Sequence, residues 1–93
     1  MKTIIKRPGE APQIIDVDND LASLQRIIGG GIETLTFATN ACVLCDRESV
    51  IKGLPFNLDF CGAVFFGPVL FVGVEGEKFC DFPVADSFCS LMG

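Results

Sequence analysis

The chain contains no histidine, no tyrosine and no tryptophan. Without histidine, the Ser-His and Cys-His nucleophile pairs are excluded, and so is the commonest general base. Catalysis would have to rest on Asp, Glu, Lys or a lone Cys, and nothing along the chain pairs those residues. The expectation is therefore a protein that is not an enzyme, with no catalytic residues and no cofactor. Positive charge is scarce as well: seven Lys and Arg stand against twelve Asp and Glu, for a net charge of −5. Binding to DNA or RNA needs clustered cations that displace counterions from phosphates, so nucleic acid is not expected as a partner. The longest uncharged apolar run, Gly62–Val74, contains Pro68 and falls well short of the roughly 20 residues of a membrane-spanning helix. The opening Met1-Lys2-Thr3-Ile4-Ile5-Lys6 has a basic start but too short an apolar stretch for a secretory signal. A cytoplasmic protein without membrane association is the expectation.

What is present is apolar. Of 93 residues, 49% are hydrophobic and nine are Phe. A single domain over 1–93 is expected at this length. So small a domain buries only about 60–65% of its unfolded surface, and this composition exceeds what it easily hides. The surplus points to self-association or to a protein partner.

Lys2–Arg7 and Gln13–Val17 read as a hairpin, joined through Pro8-Gly9, where Pro presets a turn φ and Gly accepts a positive one. Asp18-Asn19-Asp20 offers N-cap side chains to a helix with Leu21, Leu24, Ile27 and Ile28 on one face. Gly29-Gly30-Gly31 ends it. Ile32–Ala38 and Ala41–Asp46 form two further strands around a Thr39-Asn40 turn, and Val50-Ile51-Lys52 reads as resumed strand. Gly53–Asn57 breaks regular structure as a loop or one helical turn. Gly62–Val74 then reads as the main buried β segment, bent or bulged at Gly67-Pro68. In the tail, Val84, Phe88, Leu91 and Met92 have helical spacing after Pro83. The fold class is α+β: a mainly antiparallel sheet of about five strands, one central short helix and a short C-terminal helix.

Three motifs invite chemistry and are better read as structure. Cys42-Val43-Leu44-Cys45 has redox or zinc spacing, but on a strand residues i and i+3 point to opposite faces, so the two thiols cannot meet. Five cysteines, an odd number, read as small buried hydrophobes. Asp16-Val17-Asp18-Asn19-Asp20 begins like a calcium loop but has Leu21 where glycine is needed and Ile27 where glutamate is. Gly29-Gly30-Gly31 follows its helix, whereas a phosphate loop precedes one. The loop before the apolar run is the best place for a ligand or partner contact. Gly53 and Gly62 would supply backbone amides, and Asn57 and Asp59 side chains. The alternative for Asn57 is a turn closed by its own side chain.

Several stretches carry a resemblance in the same order along the chain. They are Asp18-Asn19 before Leu21, Ile28-Gly29-Gly30-Gly31-Ile32-Glu33, Lys52-Gly53-Leu54-Pro55-Phe56-Asn57, and Gly67-Pro68-Val69-Leu70-Phe71-Val72-Gly73-Val74 with Glu77 and Phe79 after it. Through them the chain resembles a family of small uncharacterised proteins from phages and conjugative elements of gut and Gram-positive bacteria, catalogued as a domain of unknown function. That family often has a basic residue after the Leu-Pro-x-Asn loop, where this chain has Leu58. The resemblance implies a mobile-element origin and a cytoplasmic setting, and it supplies no catalytic residue. Two functions follow as expectations. The first is a protein-interaction or accessory module, with counter-defence among its roles. The second is an oligomer that sequesters a small molecule or nucleotide between subunits.

Overall fold

The computed structural model describes residues 1–83 and Phe88. Its elements in chain order are β1 (Lys2–Lys6), β2 (Gln13–Asp16), α1 (Leu21–Ile28), β3 (Ile32–Ala38), β4 (Ala41–Asp46), β5 (Phe56–Phe60), β6 (Ala63–Phe66), β7 (Val69–Glu75) and β8 (Lys78–Cys80). The main sheet runs β2-β1-β7-β4-β3, and β8 also pairs with β7; β5 and β6 form a separate hairpin. Every pairing is antiparallel. The fold is therefore more dominated by sheet than the expected α+β domain, and the described residues hold more strands than expected. The expected C-terminal helix falls on residues 84–93, of which only Phe88 lies within the described residues.

Local chemistry explains the first half. The β1–β2 turn has Pro8 followed by Gly9 at φ 73°, with Glu10 N–H donating to Arg7 C=O, the pattern of a type II turn. Asp20 caps α1: its side chain accepts from Ser23 N–H at 2.8 Å and Ser23 Oγ at 3.0 Å. Gly29, at φ 100°, ends the helix. Leu24 and Ile28 are buried, as the spacing predicts, while Leu21 at the first turn stays 64% exposed.

The apolar run Gly62–Val74 is not one bent strand. The chain leaves the hairpin after Phe66, turns at Gly67 (φ 75°) and enters the main sheet at Val69. Only β7 is the central buried strand. It pairs with β4 along one edge and with β1 and then β8 along the other. Two core layers result. On one face, Leu70 and Val72 pack with Ile5, Cys42, Leu44, Val17, Leu24 and Ile28 under α1. On the other, Phe71 and Val69 pack with Ile4, Val43 and Phe65 under the hairpin. Covering both faces makes β4 buried at every position and β7 buried from Val69 to Gly73. Phe37, Phe60, Phe71, Phe82 and Phe88 form one aromatic cluster on the hairpin side, with centroids as close as 4.9 Å for Phe37–Phe60 and for Phe82–Phe88.

Val50-Ile51-Lys52 does not resume a strand. Residues 47–53 are a run of hydrogen-bonded turns, with one helix-like bond from Lys52 N–H to Glu48 C=O. Asp46 Oδ1 accepts Glu48 N–H at its start. Gly53 N–H donates to Val50 C=O and Leu54 N–H to Ser49 C=O at its end, with Gly53 at φ 68°. That is a Schellman stop, which glycine makes without strain.

Candidate functional site

The four residues singled out from sequence do not converge. Gly53 sits at the base of the β5–β6 hairpin and Gly62 at its tip, with the five residues of β5, about 17 Å, between them. Gly62 (φ 78°) and Cys61 (φ 50°) form the two-residue hairpin loop; positive φ at both positions is the type I′ geometry. Asp59 is exposed on β5 opposite Val64. Asn57 lies within β5 rather than in a turn, and it is buried. Its Nδ2 donates to Lys6 C=O at 2.8 Å and Gly67 C=O at 2.7 Å, and its Oδ1 accepts Lys6 Nζ at 3.0 Å. The amide thus ties the hairpin to β1, with its two donors and its oxygen engaged within the chain.

The cysteines divide as strand geometry requires. Cys42 belongs to the layer under α1 and Cys45 to the layer under the hairpin. Burial pushes the Cys42 thiol up to about 11. Cys45 is raised too, first by burial and then by the Glu33 and Asp46 carboxylates. Both are neutral thiols at physiological pH and therefore poor nucleophiles.

Asp46 carries the best-defined polar network. Its buried carboxylate receives Lys52 Nζ at 2.7 Å, and the same ammonium donates to Gly29 C=O at 3.1 Å. The bond from Lys52, then the one from Glu48 N–H, holds the carboxyl below its ordinary value. This network fastens the end of α1 to the turn after β4. It is structural, because each of its charges is answered inside it.

Beside that turn lies a cleft of about 300 Å³ between the main sheet and the hairpin. One wall is Glu33, Thr34 and Leu35 of β3; the other is Ala63–Phe66 of β6; Arg47, Ser49 and Val50 close one end. Consecutive residues of both strands line it, so strand edges as well as side-chain faces border the cleft. Two of the exposed apolar side chains, Val50 at 74% and Val64 at 51%, belong to this lining; Ile51, 83% exposed, follows Val50 in the chain, and Phe56, 57% exposed, packs edge-on to Phe66 of the lining at 6.2 Å. Sequence reasoning missed this surface. The available signal was Val50-Ile51, two β-branched residues in a polar turn, where strand propensity suggested a resumed strand instead.

Residues 1–91 match the family DUF3846, described as a domain of unknown function. No curated protein and no solved structure matches the chain.

Proposed function

Because the chain belongs to the DUF3846 family, whose description carries no activity, we propose from the geometry alone that it is a non-enzymatic protein-interaction module. The observation that carries this reading is the cleft between β3 and β6, with exposed Val50 and Val64 in its lining and exposed Ile51 and Phe56 next to the lining residues Val50 and Phe66. Large apolar side chains grouped around a concavity are a common mark of a partner surface. The resemblance to proteins of phages and conjugative elements of gut and Gram-positive bacteria supports reading the module as one carried by a mobile element, acting in the host cytoplasm in an accessory or counter-defence role. No helix among the described residues is long and apolar enough to cross a membrane.

Crosslinking in such a host, followed by mass spectrometry, tests the reading. A partner protein should accompany the wild-type chain and be depleted by Val64→Asp. That variant changes an exposed side chain and should keep the melting behaviour within about 0.5 kcal/mol of wild type. Equal recovery with both chains, or no partner with either, overturns the proposal.

The same cleft favours a second reading, an oligomer that sequesters a small molecule or nucleotide. Its volume is at the low end for a ligand site. Among the described residues Arg47 is the one cation in its lining, and one guanidinium nitrogen already donates to Ile32 C=O. Thermal-shift screening with nucleotides and light scattering decide it: stabilisation together with an oligomer supports this reading, and an inert monomer removes it.

A further inference from the structure

The cleft borders an open sheet edge whose hydrogen-bonding phase is fixed by its neighbours. Arg47 N–H donates to Gly31 C=O at 2.8 Å, and the β3–β4 register pairs Ile32 with Asp46, Glu33 with Cys45 and Thr34 with Leu44. Gly31 and Arg47 are thus a hydrogen-bonded pair, and so are Glu33 and Cys45 two residues on. The residues between them, Ile32 and Thr34, direct their N–H and C=O away from β4. Arg47 Nη2 confirms this phase, because it reaches the outward Ile32 C=O at 3.1 Å. At Thr34 nothing comparable covers the edge: among the described residues no strand pairs with the outer side of β3.

We propose that β3 accepts an extended segment of a protein partner at Thr34, lengthening the main sheet by one strand. The proposal rests on the protein-interaction reading and specifies its geometry. A strand added here sends alternate side chains to the hairpin side, the side of Glu33 and Leu35, into the cleft. The one opposite Leu35 enters the cleft on the side lined by the core-facing Ala63 and Phe65 and should be apolar. The one opposite Glu33 meets an exposed carboxylate that has no ion-pair partner among the described residues, on a chain of net charge −5. Charge complementarity calls for a basic side chain there. Backbone pairing supplies affinity, and these two positions, two residues apart, supply selectivity. A second copy of the chain fits poorly. Pairing Thr34 with Thr34 or with Thr36 of a second β3 sets Glu33 opposite Leu35 or Phe37, and it brings two acidic chains together. Arg47 limits the register by occupying the Ile32 carbonyl.

The test uses the full chain, isotope-labelled for NMR, and a capped synthetic peptide alternating threonine and valine with lysine two residues after the central valine. Its counterpart has glutamate in place of the lysine. The lysine peptide should shift and protect the Thr34 amide and bind at least about tenfold more tightly than the glutamate peptide. Glu33→Lys should reverse that order. Thr34→Pro should abolish binding while β4 amides stay protected, because the lost N–H points away from β4 and proline is tolerated on an edge strand. Equal affinity for the two peptides, or binding by neither, overturns the proposal. Concentration-dependent changes at β3 without peptide assign the edge to self-association and also overturn it. Shifts at Phe56 and Val64 with Thr34 unmoved overturn the edge geometry while leaving the interaction reading intact.

Discussion

Two side chains are held in ways that single substitutions should expose. Cys61 is the one described non-glycine residue with positive φ, and it occupies the first position of a type I′ loop before Gly62. The left-handed conformation costs most residues about 1 kcal/mol, while asparagine tolerates it. Cys61→Asn should therefore stabilise the protein by about 0.5–1 kcal/mol and raise the thermal midpoint by several degrees, read by calorimetry. Asp46 is the opposite case, a residue whose removal leaves Lys52 without its carboxylate. Asp46→Asn should cost about 2 kcal/mol in urea unfolding. The pH dependence has a definite sign. Because the folded carboxyl titrates below its unfolded value, its contribution is complete above about pH 4 and fades as pH falls through the lower folded value. Wild-type midpoints should drop on acidification in that window, and those of the Asn variant should drop less. The slope that remains belongs in part to Asp20, lowered by the Ser23 N–H and hydroxyl.

At the scale of elements, legibility followed periodicity. The first hairpin, α1, β3 and β4 carry turn, cap or alternation signals, and the sequence reading places them within a residue or two. It also sends Cys42 and Cys45 to opposite faces. The run Gly62–Val74 has no such signal. A strand buried on both faces and a hairpin strand with one apolar face against the core look alike when neither alternates with charge. Gly67-Pro68 therefore read as a bend inside one strand, when it is the passage between two sheets. Strand β8 is only three residues long, too short to show an alternation of its own, although Gly76, at φ 64°, marks the tight turn before it. Asn57 read as a turn residue because Asn usually closes turns, and only the meeting of β1 with Gly67 gives its amide buried partners. The cleft was invisible for a related reason: it is made by β3 and β6, which no local pattern brings together. An element-level consequence concerns β7, whose one edge is shared end to end by β1 and β8. The chain passes over Gly73 so closely at Asp81 that a Cβ there would collide with the Asp81 backbone. Phe82 N–H then donates to Lys2 C=O at 2.8 Å, and Asp81 Oδ1 accepts Lys2 N–H at 2.8 Å. Gly73→Ala should cost about 1–3 kcal/mol by overpacking and should loosen β8 first, seen as faster amide exchange from Phe79 to Phe82.

Across the whole molecule, the two layers are attached to the sheet differently, and that difference should set the order in which the protein opens. Helix α1 is joined to β4 through the Asp46–Lys52–Gly29 network and to the core through Leu24 and Ile28. Among the described residues, the β5–β6 hairpin shares no strand pairing with the main sheet. It rests on Leu58, Phe60, Ala63 and Phe65, and its polar link to β1 is the Asn57 amide. A unit held by one apolar face and one clip can open while β4 and β7 stay folded, because their ladder does not pass through it. Amides of β5 and β6 should accordingly exchange with a smaller opening free energy than those of β4 and β7. Asn57→Ala leaves Lys6 C=O and Gly67 C=O without their buried donor, a loss of about 1–3 kcal/mol. That loss should appear almost wholly as faster exchange in β5 and β6, with β4 and β7 changing only as much as global stability does. Native-state hydrogen exchange separates the two. Equal acceleration across all four strands would mean that the hairpin and the sheet open as one unit. It would also mean that the cleft between them is a fixed feature of the core and not a surface able to widen for a partner strand.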